Sequence, residues 1–86
     1  MGDVYVMQQS NFSLYDPITG TTSVRVSKGD ILVLIETAHQ SDRYGDMSGW
    51  RLTTFLTSCG KLVECGHSKN ESFTDSGWKR TLKIMR

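Results

Sequence analysis

The chain has 86 residues, with ten lysine and arginine residues against nine acidic ones, so its formal net charge is +1. A chain of this length forms one domain around one core, and we therefore treat residues 1–86 as a single unit. The near-neutral charge provides no global field for nucleic acid or an anionic membrane, and the longest apolar run, residues 31–35, is far shorter than the roughly 20 residues of a membrane-spanning helix.

Period-two alternation runs through the first half of the chain. Residues 4–7, 12–15 and 22–26 are short runs rich in β-branched and aromatic residues, which favours strands. Residues 31–35 are apolar on both faces, so they are predicted to form the central and most buried strand. Turn-forming residues separate these runs at positions 16–20 and 28–30.

The second half contains two long polar segments between further strands. Residues 36–49 and 66–77 are predicted to be loops. Residues 50–57, 61–65 and 78–86 are predicted to be strands, the last because apolar and basic residues alternate along it. The apolar residues of 50–57 change phase halfway, which predicts a β-bulge in that strand.

These elements predict an all-β domain. The sequence contains no long run of apolar residues at helical spacing, and short strands joined by turn clusters are typical of sandwiches and barrels. At this length we expect a small barrel of five to seven short antiparallel strands with two long loops, because closure removes exposed strand edges.

Three sequence landmarks resemble the SH3 domain family. Residues 13–17, Ser-Leu-Tyr-Asp-Pro, are similar to the family's A-L-Y-D-Y, residues 27–30, Ser-Lys-Gly-Asp, to its K-K-G-D, and Trp50 to the tryptophan that opens its third strand. The resemblance covers about half of the chain. It implies an SH3-like small barrel and places Tyr15 and Trp50 on the aromatic shelves that bind polyproline segments in that family. Pro17 replaces the second tyrosine of the motif, which implies an altered ligand.

The candidate partner-binding residues are two aromatics and part of one loop. Tyr15 and Trp50 provide large contact area at low entropic cost. The loop at 36–49 mixes charge, an aromatic ring and a thioether in a composition suited to protein contact. Its candidate residues are Asp42, Arg43, Tyr44 and Met47. The alternative is that the aromatics belong to the core and that the loop is only solvated.

These residues predict a non-catalytic protein–protein interaction module. We expect a small regulator or inhibitor of a larger protein, a form that small viral and phage proteins take when they act on host machinery. The N-terminus lacks the basic and apolar regions of a signal peptide. We therefore expect a cytoplasmic location, in the host cytoplasm if the source is viral, and no membrane partner.

Nucleic-acid binding is the alternative function. Lys79, Arg80 and Lys83 follow the last acidic residue of the chain, and Trp78 stands beside them. Basic residues with an interleaved aromatic ring bind a phosphate backbone and stack a base. Lysines on an edge strand also prevent unwanted sheet pairing, so the structural explanation remains open.

The cysteine and histidine residues do not form a recognised metal motif. Cys59, Cys65 and His67 form a C-x5-C-x-H cluster, and zinc would require a fourth ligand such as His39. We expect two ordinary thiols, no metal and no cofactor. The sequence also lacks a nucleophile-and-base pattern or a glycine-rich phosphate loop, so we predict no catalytic residues.

Overall fold

The computed structural model describes residues 3–41 and 44–85, and its regular structure is dominated by antiparallel strands. The strands are β1 (Val4–Met7), β2 (Phe12–Asp16), β3 (Thr21–Val26), β4 (Ile31–His39), β5 (Trp50–Thr57), β6 (Leu62–Ser68) and β7 (Leu82–Ile84). Two 3-10 turns, Phe73–Asp75 and Gly77–Arg80, lie between β6 and β7. The prediction of an all-β chain with five to seven short antiparallel strands is confirmed.

The seven strands form one sheet in the order β3-β2-β6-β5-β4-β1-β7. The sequence predicted that the sheet closes into a barrel. Within residues 3–41 and 44–85 the two outer strands, β3 and β7, do not pair, so the sheet is open. Val24 and Val26 of β3 nevertheless share one core with Leu82 of β7. The sheet therefore curls around a common interior and is barrel-like without being a closed barrel.

The core is built from one face of each strand. Val24 and Val26 both face it, as the alternation of β3 predicted. Its centre is aromatic, because Phe55 contacts Tyr5 edge-on at 5.1 Å between ring centroids and Phe73 at 5.2 Å. Phe73 comes from the polar segment after β6, and it pins that segment to the core.

The central strand of the sheet is β5, and both β5 and β6 are more buried than the apolar run at 31–35, which the sequence predicted to be the central and most buried strand. In β4 only Leu32 and Leu34 are buried, while Ile35 is 39% exposed. In β5 the buried residues come from both faces: Thr53, Thr54, Phe55 and Thr57. Hydrophobicity along the chain does not predict this burial, because on the outer face of β5 Thr54 is covered by the His39 side chain, whereas on the outer face of β4 Ile35 is open to solvent.

The sequence predicted a β-bulge in β5, but the bulges lie in β4. Leu34 pairs with Phe55, but the next partner of β5, Thr54, pairs with Glu36, so β4 holds an extra residue. A second irregularity follows before His39, where Ala38 has a φ of 51°. The bulges carry β4 on to His39, so the predicted loop at 36–49 begins only after that residue.

The predicted strand at 78–86 is also wrong in its first half. Residues 77–80 form a 3-10 turn instead, because the Ser76 hydroxyl accepts from the Trp78 N–H at 3.2 Å and donates to the Phe73 carbonyl at 2.6 Å. Pairing with β1 begins only at Leu82, opposite Met7. The loop predicted at 66–77 is shortened as well, since β6 continues to Ser68.

Candidate partner-binding sites

The two predicted aromatic anchors lie in different environments. Tyr15 is directly opposite Glu64 on one side of β6, whereas Trp50 is opposite Ser68 on the other side. These two positions on β6 are four residue steps apart, or about 13 Å along the strand. The structure therefore resolves the single predicted site into two.

The first site is a groove beside the end of β6, with a volume of about 420 Å³. Trp50 stands at its mouth with 56% of its surface exposed. Its lining includes Phe12, Gly66, Ser68, Glu71 and Trp78 as well as Trp50. The groove joins Trp50, from the predicted protein-binding set, to Trp78, from the predicted nucleic-acid set.

Trp78 is a fixed wall of this groove. Its indole N–H donates to the Gly66 carbonyl at 2.8 Å. One ring face stacks on Phe73 at 6.3 Å with an interplanar angle of 17°, and Phe12 meets it edge-on at 6.0 Å. Held on three sides, the ring does not have to be ordered when a ligand enters.

A buried polar network supports the groove from below. His67 is buried, and its Nδ1 lies 3.1 Å from the Ser68 carbonyl, which only accepts, so Nδ1 donates to that carbonyl. Its Nε2 then accepts from the Thr53 hydroxyl at 2.9 Å. The same hydroxyl accepts from the Ala38 N–H at 3.2 Å. Thr53 thus connects the bulge of β4 to the groove.

The second site is a polar cluster on β6 that holds the loop at 40–49. The Tyr44 hydroxyl donates to Oε1 of Glu64 at 2.7 Å, and Glu64 is only 6% exposed. Tyr15 meets Tyr44 edge-on at 6.0 Å. On the other side, His39 Nε2 lies 2.7 Å from the Thr54 hydroxyl and 4.0 Å from Oε2 of Glu64.

Glu64 was not among the predicted site residues. It stands between Val63 and Cys65 in a short strand, where alternation places it on the face opposite the core. A glutamate in that position is normally solvated. Its burial depends on Tyr44 and His39, which are distant in sequence, and no local pattern indicates it.

The remaining predicted loop residues divide into two groups. Met47 is buried at 8% exposure, and its sulfur accepts from the Ser41 N–H at 3.4 Å, so it supports the loop from within. Asp42 and Arg43 lie outside the described residues. Tyr44 links the loop to β6 through Glu64, and the Met47 carbonyl links it to β5 by accepting from the Trp50 N–H and the Arg51 guanidinium, each at 3.1 Å.

The two thiols differ in environment. Cys59 is exposed in the turn between β5 and β6, whereas Cys65 is buried in the core. The hydrogen bond with the Thr57 hydroxyl lowers the pKa of the Cys59 thiol, and burial raises that of Cys65. Within residues 3–41 and 44–85 the metal-ligating side chains form no group of three that could hold an ion.

Replacing Tyr44 with phenylalanine is expected to lower the free energy of unfolding by about 1–3 kcal/mol, because it removes a hydrogen bond to a buried carboxylate. Chemical denaturation measures this change. Tyr15→Phe is the matched control, since it also deletes one hydroxyl from the cluster, and it is expected to cost less than Tyr44→Phe. An equal cost for both variants would contradict the assignment of the hydrogen bond to Tyr44.

The same variant is expected to change stability at alkaline pH. Burial, the hydrogen bonds with Tyr15 and Glu64 and the charge of Glu64 raise the pKa of Tyr44 above its ordinary value of 10.0. The unfolded chain therefore loses this proton at a lower pH than the folded one. The stabilisation is fully present below about pH 10 and is lost as the pH rises through the raised value. In Tyr44→Phe this part of the alkaline loss is expected to disappear.

Comparison with protein-family models, with curated proteins and with solved structures finds no match to this chain. In the part of the chain that the structure describes, no helix is long and apolar enough to cross a membrane. The groove and the polar cluster are therefore interpreted from their own chemistry.

Proposed function

We propose that the chain is a non-catalytic protein-interaction module that binds a partner protein in the groove beside β6. The observation that carries the proposal is Trp50, a large aromatic side chain left 56% exposed at the mouth of a groove of about 420 Å³. Tryptophan is enriched among the residues that dominate binding energy at protein interfaces. An exposed indole beside a concave surface is therefore a strong candidate for the centre of an interface.

The walls of the groove support this proposal because they are already in place. Trp78 is fixed by its hydrogen bond to Gly66 and by its contacts with Phe73 and Phe12. A preorganised site loses less side-chain entropy on binding than a mobile one. The free energy gained by burying Trp50 is therefore not offset by the cost of ordering Trp78.

The lining favours a particular kind of partner segment. The aromatic walls suit an apolar side chain, and Glu71 is the charged carboxylate beside them. A segment with an apolar residue next to a lysine or arginine fits both features. We also propose that the fold is an SH3-like barrel, the family that residues 12–35 resemble. In the same proposal the protein is a small cytoplasmic regulator or inhibitor of its partner.

The test is affinity capture with the purified protein from an extract of its source cells, followed by mass spectrometry and by titration of each captured protein. Trp50→Ala is expected to weaken binding of the true partner by at least about 30-fold, the effect of a hot-spot residue. Ile18→Ala is the matched control, because it removes an apolar side chain that is 77% exposed in the turn between β2 and β3. Partners retained equally by both variants would refute the groove as the site.

Nucleic-acid binding through Lys79, Arg80 and Lys83 stays the alternative. All three side chains are exposed, which favours it. Trp78 counts against it, because Phe73 covers one face of the ring that a base would stack on. The same capture with and without nuclease separates the two functions, since a nucleic-acid binder loses its captured proteins after digestion.

A further inference from the structure

The face of the sheet that points away from the core carries a continuous band of aliphatic side chains. In register across four strands, Val4 pairs with Val33, Val33 with Leu56 and Leu56 with Leu62. All four are partly exposed, and none of them belongs to the core cluster. Aliphatic side chains that line up on the solvent side of four strands form a contiguous apolar patch, which is a candidate interaction surface.

A second row widens this band. Val6 pairs with Ile31 on the same face, one step further along the strands. Met85 extends the first row to a fifth strand position, because its N–H bonds to the Val4 carbonyl, and it is 53% exposed. We call the whole set the aliphatic band: Val4, Val6, Ile31, Val33, Leu56, Leu62 and Met85.

One edge of the aliphatic band is basic. Lys83 pairs with Val6 and so lies on the band's own face. Lys28 precedes Ile31 in the turn that bonds to the end of β1, so it lies at the same end of the sheet as Lys83. Asp30 belongs to the same turn, where its carboxylate accepts from the Ser27 N–H at 2.8 Å. Lys61 also lies at this end, but it is opposite Thr57 and next to Leu62, so strand alternation places it on the other face. The side chains of Lys28 and Lys83 are exposed, and within residues 3–41 and 44–85 they form no ion pair.

The band's dimensions limit what it can bind. Five strand positions at about 4.8 Å span about 19 Å, and two rows are about 10 Å wide. A stable homodimer requires roughly 800 Å² per partner, several times this footprint. One face of an α-helix matches it, since a helix is about 10 Å across and about 13 residues cover 19 Å.

We propose that the aliphatic band docks an acidic amphipathic helix of a partner protein. The helix lays its aliphatic stripe on the band, and its carboxylates face the lysines at the band's edge. Charge complementarity selects an acidic helix over a basic one. This surface is distinct from the groove, because Trp50 opens β5 whereas Leu56 lies near the other end of that strand. One small module then contacts its partner at two places.

The experiment uses the isotope-labelled full chain and two 14-residue helical peptides with the same leucine stripe. One peptide carries glutamates beside the stripe and the other carries lysines. We expect the glutamate peptide to shift the amide signals of Val4, Val33 and Leu56, with an affinity that falls as salt rises. The lysine peptide is expected to bind at least about tenfold more weakly. Equal binding of both peptides, or shifts confined to the groove, would overturn the proposal.

Three variants locate the contact. Lys83→Glu and Val33→Thr are each expected to weaken binding of the glutamate peptide roughly fivefold. Lys83→Glu changes an exposed side chain, and Val33→Thr keeps a β-branched residue in the strand, so both variants are expected to fold. Lys69→Glu is the matched control, because it makes the same charge change after β6, at the opposite end of the sheet, and it is expected to have no effect. A Lys69 variant that weakens binding as much as the Lys83 variant would show only a general charge effect.

Lipid is the competing occupant. Vesicles of phosphatidylglycerol and phosphatidylcholine are tested alongside the peptides with the same variants. Sedimentation with vesicles that depends on Lys83 and Val33, without binding of the glutamate peptide, would assign the band to a membrane surface and refute the helix.

Discussion

Phe55→Ala is expected to lower the free energy of unfolding by about 3–5 kcal/mol, the largest effect of any single substitution that we predict. Phe55 is completely buried, and its ring touches both Tyr5 and Phe73. Removing it leaves a cavity at the point where β1, β5 and the segment after β6 meet. For a domain whose total stability is about 5–15 kcal/mol, this is a large share.

Urea denaturation followed by tryptophan fluorescence and by circular dichroism measures the loss. Ile18→Ala serves again as the control, and it is expected to change stability by less than about 0.5 kcal/mol because its side chain is exposed. A loss below about 1 kcal/mol for Phe55→Ala would contradict the described core.

Thr53→Val is expected to cost about 2–3 kcal/mol although valine is apolar and nearly the same shape as threonine. The hydroxyl is the partner of His67 Nε2 at 2.9 Å and of the Ala38 N–H at 3.2 Å. Valine leaves a buried imidazole nitrogen without a donor, which costs roughly 1–3 kcal/mol, and also frees the amide in the bulge.

Thr53→Ser is the discriminating control. It retains the hydroxyl and removes one methyl group, at a cost of about 1 kcal/mol. If packing alone stabilised this position, the valine variant would have the higher free energy of unfolding. If the hydrogen-bond network stabilises it, the serine variant has the higher free energy of unfolding. Nitrogen NMR of the His67 ring provides a second readout, because loss of the Thr53 donor is expected to change the Nε2 signal in the valine variant and not in the serine variant.

Local patterns predicted the strands well and their boundaries less well. The alternation of Val24 and Val26 identified the core face of β3, and the turn residues at 16–20 and 28–30 separate strands as expected. These features depend on neighbours within a few residues, so the sequence carries them directly.

The remaining features depend on contacts between distant segments. The bulges of β4 follow from its register with β5, and Ala38 gives no local sign of a positive φ. At 78–80 the alternating pattern of a strand was overridden by the Ser76 cap and by the Trp78 bond to Gly66. The separation of Tyr15 from Trp50, and the burial of Glu64, likewise require the sheet order to be known.

The position of β1 between β4 and β7 has a consequence for how quickly the fold forms. Tyr5 pairs with Ile84, about 80 positions away along the chain. Bringing such distant segments together carries a large loop-closure cost before any contact offsets it, and proteins dominated by non-local strand pairing fold in milliseconds to seconds. The hairpins of β2 with β3 and of β5 with β6 need only short closures. We therefore expect the β1–β7 pairing to form late in folding, and until it forms one edge of β1 is open to other chains.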